Sequence, residues 1–251
     1  VTQAGRLYAD ELFGQSTNPI RNVRQTNTYA QFVWRRALSP SSDLQVRYSY
    51  MQDRSSDAFT IVIPILPPGQ QVINVNQTGD EGTRHEIELQ HSLKVADTTR
   101  LVWGASWRDD SVRSAWTFPG QGTVHREISR IFGNVEWKPT HWFTGNMGLA
   151  GENDSMAGSH ASPRISTNFH LDQENTIRLG YSRANRTPST ANFRGDQKTP
   201  FEQLYSGVKD LPSERLDTWE IGYLGDWREK RASLDVRLFS EKIYNRLFRI
   251  D

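Results

Sequence analysis

Glu86 and Glu88 stand two positions apart, and in an extended strand that spacing puts both carboxylates on one face. A carboxylate pair is the minimum for glycosidase-type acid–base work, but any polar strand face offers the same pair. The six histidines, His85, His91, His125, His141, His160 and His170, are scattered singly and never fall into H-E-x-x-H spacing. Cysteine is absent. That removes thiolate metal sites, a thiol nucleophile and any disulfide framework. No serine sits in a G-x-S-x-G elbow. The residues able to do chemistry therefore point to no reaction. The chain is expected not to be an enzyme and to need no cofactor or metal.

What remains is charge that must be held somewhere. Lys and Arg number 30 against 29 Asp and Glu, so the basic excess that nucleic acid requires is missing. Hydrophobic residues make up only 35% of the 251, while aromatics reach 11% with eight Trp. Little aliphatic content with much Trp and Tyr suits an all-β protein with interfacial aromatics. No apolar run approaches the roughly 20 residues of a transmembrane helix, which leaves a β-barrel open.

Alternation with period two supplies the elements. In 28–38, Ala30, Phe32 and Trp34 oppose Gln31, Val33 and Arg35; in 43–53, Leu44, Val46, Tyr48 and Tyr50 oppose Gln45, Arg47 and Ser49. Further strands are predicted over 84–94, 99–108, 125–137 and 141–152. Two more follow within 162–184, and the last lie at 214–224 and 231–243, which makes ten. Residues 1–27, polar and rich in Asn, Arg and Gln, read as a loop, or as a loop carrying the end of an earlier strand. Residues 54–82 read as a long loop with a small hairpin of its own, whose apolar patch spans 60–66. Loops are also predicted over 109–124, 152–161 and 185–213. Tight turns are predicted near 39, 96, 139, 173 and 225–230.

Three regularities follow. Short and long connections alternate, so antiparallel order gathers the short turns at one end and the longer loops at the other, as in outer-membrane barrels. No residue placed on the apolar faces is charged, whereas the opposite faces carry Arg35, Arg47, Glu136, Asp235 and many more. A charge at a lipid midplane costs about 2–4 kcal/mol for Arg or Lys. Aromatics fall near strand ends: Trp34, Trp137 and Trp142 toward the short turns, Tyr50, Trp107 and Tyr181 toward the longer loops. These traits predict an all-β, antiparallel, up-and-down transmembrane barrel. A passive porin, a barrel enzyme of the same membrane, and a soluble all-β binding protein or hydrolase are the alternatives. The Asn76-Gln77-Thr78 and Asn185-Arg186-Thr187 glycosylation patterns carry no weight in a bacterial barrel.

Ser162-Pro163-Arg164, the run from Ile177 to Ala184, and Arg186-Thr187-Pro188-Ser189 resemble the barrel of TonB-dependent outer-membrane receptors. So do Leu211-Pro212-Ser213-Glu214-Arg215, Trp219 to Tyr223, and Ser233 to Phe239. The strand rhythm extends the resemblance over about 28–243. It implies a 22-stranded barrel of which this chain holds about ten strands, a plug domain inside it, and energised uptake of a ferric siderophore, haem, cobalamin or a similar scarce solute. The implied partners are outer-membrane lipid, the plug of the same full-length chain, the TonB complex through that plug, and a ferric chelate. The implied location is the outer membrane of a Gram-negative bacterium. No plug or energy-coupling segment is recognisable here. The start at Val1 without a leader, and the end at Asp251 soon after a strand, read as a partial barrel domain over 1–251.

Residue roles follow from the faces. Glu86, Glu88, Arg108, Arg164, Arg178, Glu220 and Arg237 are expected to face the lumen, with Glu86 opposite or diagonal to Arg108 and Glu220 near Arg237. Trp103, Ile177, Leu179, Tyr181, Ile221 and Val236 are expected to face lipid. Arg183, Arg186 and Arg194 are expected on an extracellular loop, as an arginine group suited to an anionic chelate.

Overall fold

The computed structural model describes residues 2–3, 21–65, 69–198, 203–227, 229 and 231–247. Its strands are β1 (Thr2–Gln3), β2 (Val23–Ser39), β3 (Ser42–Ser56), β4 (Ala58–Ile65), β5 (Gly69–Asn76), β6 (Asp80–Ala96), β7 (Thr99–Arg113) and β8 (Thr123–Thr140). They continue with β9 (Phe143–Asp154), β10 (Gly158–His170), β11 (Asn175–Arg186), a one-turn helix α1 (Thr190–Arg194), β12 (Asp196–Lys198), β13 (Gln203–Ser206), β14 (Glu214–Trp227) and β15 (Ala232–Tyr244). One 11-stranded sheet runs β1-β2-β3-β6-β7-β8-β9-β10-β11-β14-β15, each strand antiparallel to its neighbours. The ten predicted strands are its ten long members. The β4–β5 and β12–β13 hairpins stand apart from it.

Register shows how the two faces are kept separate. Ile165, Tyr181 and Trp219 are direct cross-strand partners, and so are Thr167, Leu179, Ile221 and Leu238. The alternate row joins Asn168, Arg178, Gly222 and Arg237. A slip of one residue would exchange the faces. The apolar face is bare: Ile131 is 66%, Leu149 58% and Trp219 63% exposed. A water-soluble monomer rarely shows a contiguous apolar patch beyond a few hundred Å². Lipid is the solvent that suits this face.

The strands outrun the apolar belt. Seventeen residues of β6 span about 55 Å at about 3.3 Å per residue. An apolar band is about 25 Å tall, even with strands tilted by about 40°. Both faces of the surplus turn polar, and this moves the predicted loop boundaries: β2 already begins at Val23, inside the loop expected over 1–27, and β11 runs on to Arg186. The predicted loop over 152–161 is mostly ladder, because β9 and β10 stay paired up to Asp154 and Gly158. Only residues 155–157 turn there, aided by Gly158 at φ +77 and by Asp154 accepting from the Met156 amide at 2.9 Å. The gap over 109–124 shrinks likewise to 114–122, and 54–82 is bounded by Ser56 and Asp80. The small hairpin expected inside it is β4–β5; the apolar side chains of 61–66 lie outside the described residues, as do Arg228 and Lys230 of the last turn.

The charge-free apolar face holds along the belt but not at its ends, where Arg36 near the short turns and Arg183, Asp217 and Lys242 near the longer loops lie on the same side. Arg36 pairs in register with Leu44 and lies on the Trp34 face. It stands three residues before the Ser39 end of β2, where a long side chain reaches the headgroup level while its stem stays apolar. Near the same end, Phe143 packs at 5.9 Å from Trp137, 5.9 Å from Trp142 and 5.3 Å from Phe169, ring centre to ring centre.

Candidate functional site

The polar face is a lattice of ion pairs. Arg47 reaches Glu88 at 3.0 Å and Glu86 at 4.0 Å. Arg84 holds Asp110 at 2.6 Å, with Arg108 on the same carboxylate at 3.3 Å. Glu86 does pair with Arg108 in register, but Arg47 reaches across from β3 to both glutamates. Alternation alone could not choose between neighbouring strands. Glu220 sits diagonal to Arg237, and Arg237 bonds Asp235 at 2.8 Å. Arg178 donates to Asn168 at 3.2 Å. A recess of about 480 Å³ is lined on this wall by Arg164, Arg178, Glu220 and Arg237. Register places all seven expected lumen-facing residues on this face. Trp103, Ile177, Leu179, Tyr181, Ile221 and Val236 share the other.

The most buried site lies at the long-loop end and was not foreseen. Asp154 has no exposed side-chain surface and Arg126 retains 7%. The guanidinium donates to both Asp154 oxygens, Nη2 to Oδ2 at 2.6 Å and Nε to Oδ1 at 3.1 Å. Nη1 donates to the Pro188 carbonyl at 2.8 Å, and the group lies 5.7 Å from the Phe193 ring centre. Asp154 also accepts from the Met156 and Ala157 amides. A buried pair is tolerated when its remaining donors and acceptors are met. Here the second partners come from a connection far along the chain.

That connection, described over residues 187–198 and 203–213, forms a strap across the polar face. Ser189 caps α1 by a capping box with Asn192, and the helix sets Phe193 against the sheet, 4% exposed. Val124, Arg126 and Ile128 of β8 are buried beneath it. The Asp196 amide donates to the Thr117 carbonyl at 2.9 Å, and the Gln121 side chain donates to the Arg194 carbonyl at 2.8 Å. So the strap leaves β11, crosses the ends of β10 and β9, and docks on the connection after β7. The sequence held one trace of this: Val124, Arg126 and Ile128 put apolar residues on what should be a wet face.

The expected arginine group does not form. Arg183 lies within β11 on the apolar-face side, in register with Asp217 and bonded to it at 2.8 Å. Arg186 ends β11 on the polar face and pairs with Glu214 at 2.9 Å. Arg194 ends α1. Alternation sends 183 and 186 to opposite faces because the strand continues past 184, where a loop had been predicted.

His85, His91, His160 and His170 are hydrogen-bonded strand residues, and His141 lies exposed in a turn. His91 receives the Trp103 indole N–H at 3.1 Å and meets Ser42 at 2.8 Å; His160 meets Ser213 at 2.9 Å. Among the described residues no three His, Asp or Glu are grouped to hold a metal.

A family model described as "TonB dependent receptor-like, beta-barrel" matches residues 2–251. The chain belongs to the TonB-dependent receptor β-barrel family. Solved structures agree on the fold. The ferric-catecholate import receptor Fiu of Escherichia coli K12, closed form, aligns with a TM-score of 0.67 at 10% identity, over 91% of this chain and 42% of that one. The Pseudomonas aeruginosa enterobactin receptor PfeA, as its Q482A mutant in complex with enterobactin, gives 0.58 at 13% identity, over 92% and 45%. The siderophore receptor PirA of the same species gives 0.56 at 15% identity, over 82% and 43%. No curated protein sequence matches. The TonB-dependent receptor chain described here thus spans less than half the length of these structures.

Proposed function

We propose that this chain forms part of the wall of an outer-membrane receptor that imports a ferric siderophore by energised transport rather than passive flow. The observation that carries the reading is the family match over residues 2–251. The two-faced sheet, bare and apolar outside and ion-paired inside, supplies the physical support. On this reading the polar face lines a lumen and the apolar face meets outer-membrane lipid of a Gram-negative bacterium. The strap lies over the lumen at the extracellular mouth. A plug domain of the same full-length protein fills the lumen and engages the TonB complex. Further strands complete a 22-stranded barrel. The role is transport and not catalysis.

The strap is what a gated receptor needs and an open pore does not, because it covers the polar face of β8. The test is growth of a deletion strain, complemented with the full-length gene, on a panel of ferric siderophores with and without TonB. Siderophore-specific growth that disappears without TonB is expected. Growth or solute flux indifferent to TonB would replace this reading with a passive channel.

A further inference from the structure

We infer that the recess between the strap and the inner wall receives a protonated amine, so that the chelate taken up carries a free ammonium group and is not a polyanionic catecholate complex. The inference rests on the uptake proposed above and names the charge class of its solute. The recess lies at the long-loop end and holds about 450 Å³. Asp53, Asp80 and Val112 line it from the sheet, Phe118 from the connection after β7, and Thr190 and Ala191 from the strap. Asp53 pairs in register with Gly82, two positions from Asp80 along β6. The two carboxylates are therefore diagonal neighbours on the polar face.

Neither acid has a cation. Among the described residues, the Asp53 carboxylate accepts only from the Gln25 side-chain amide, at 3.2 and 3.3 Å. Asp80 meets the Ser114 hydroxyl, while its Oδ1 is closed off from solvent with no hydrogen-bond partner. Burial pushes the Asp80 carboxyl above its ordinary value, because no counter-charge offsets the desolvation. The nearby charges answer one another. Glu81 lies on the outward side, shared by Arg54 at 3.3 Å and Arg113 at 3.4 Å. On the inward rows toward the belt, Arg47, Arg84 and Arg108 face Glu86, Glu88 and Asp110. The acidic surplus therefore sits in the recess, on β3 and β6, each of which has a strand on both sides. Apolar surface flanks it: Phe118 is 4% exposed, with Val112 and Ala191 beside it. An ammonium on an aliphatic stem fits both features, its N–H groups donating to carboxylate and its stem lying on the apolar flank. An anionic chelate would meet two unanswered carboxylates and be repelled. The N-terminus of α1 offers it nothing, since Ser189 and Asn192 close their own capping box there.

The experiment uses the full-length receptor in detergent and three radiolabelled ferric complexes: a linear trihydroxamate with a free terminal amine, the same complex N-acetylated, and a tris-catecholate. Affinity is read by equilibrium dialysis. The amine complex should bind tightest, and acetylation should weaken it by roughly tenfold to a hundredfold, the scale of a hydrogen bond to a charged group. D53N/D80N should bring the amine complex down to the affinity of the acetylated one and leave the acetylated one unchanged. If the double variant misfolds, judged by strand content and heat-dependent gel mobility, D53N alone carries the test with a roughly tenfold loss. Equal affinity for the amine and its acetylated form, tightest binding of the catecholate, or an amine preference that survives D53N/D80N overturns the inference and leaves ferric uptake standing. So does displacement of the amine complex by millimolar calcium, which would mark a metal-ion site. A receptor that retains none of the three complexes overturns it as well, and growth indifferent to TonB then removes the uptake reading with it.

Discussion

Replacing Asp154 by alanine should open the strap without unfolding the wall. The substitution strands the Arg126 guanidinium, which is 7% exposed at its side chain, and takes the acceptor from the Met156 and Ala157 amides. Removing one partner of a buried pair costs about 3–5 kcal/mol. The wall is a continuous antiparallel ladder and does not depend on this pair. The loss therefore falls on the weakest unit that touches it, the strap with its Pro188 and Phe193 contacts. At about 1.4 kcal/mol per tenfold, the open-to-closed ratio rises by roughly a hundredfold to several-thousandfold. Hydrogen exchange on the full-length receptor reads this at the Asp196 amide, which is bonded to the Thr117 carbonyl only when the strap is docked. R126M/D154L removes both charges together and should recover most of the protection, because an apolar pair strands no buried charge. If exchange at the Asp196 amide changes less than threefold in D154A, the pair does not hold the strap.

Gly207→Ala should act on the same element by another route. A Cβ there would meet the Phe193 carbonyl carbon at 2.7 Å and the Arg194 nitrogen at 2.8 Å, backbone that cannot move aside. Overpacking of this kind costs about 1–3 kcal/mol, so faster proteolytic cleavage within 187–213 is expected. On the outward face, Leu179→Arg should cost about 2–4 kcal/mol of membrane stability, while Arg178→Leu next to it should cost far less; folding yield into lipid vesicles, read by heat-dependent gel mobility, separates them. At the opposite end, the Asp172 carboxylate is held below its usual range by hydrogen bonds from the Asn175 side chain and from the Glu174 and Asn175 amides. A depressed carboxylate stabilises above its unfolded value and loses that contribution as pH falls through its folded value. Protection of the Glu174 and Asn175 amides should therefore drop only below about pH 4, and Asp172→Asn should abolish that pH dependence.

Where one solvent acts on each face, the sequence shows the structure. Ile177, Leu179 and Tyr181 against Arg178, Gly180 and Ser182 state both the strand and its phase, and the register Leu179–Ile221 and Arg178–Gly222 follows that phase. Where water acts on both faces, the signal vanishes although the ladder continues. Glu152, Asn153 and Asp154 are as well paired as any belt residue, yet they read as loop because nothing apolar marks a side. The partners of the polar face fail for a related reason. Glu86 has arginines within reach on both neighbouring strands, Arg47 of β3 and Arg108 of β7. Period two fixes the face of a residue but not the reach of its side chain.

The strap is the case where this limit bears on function. Arg126 and Pro188 are 62 positions apart, so no local pattern joins them, and the segment itself is as polar as the other connections. Its one cue is a conflict: Val124, Arg126 and Ile128 alternate as a strand should, but with apolar residues on the face that charge occupies elsewhere. In a wall whose inner face is wet, an inward apolar residue needs a cover, and Phe193 and Pro188 provide it. A reversal of polarity within one face of a barrel strand therefore marks the place where a connection folds inward. By that rule a connection had to come back over β8, and the segment after β11 is the one that does.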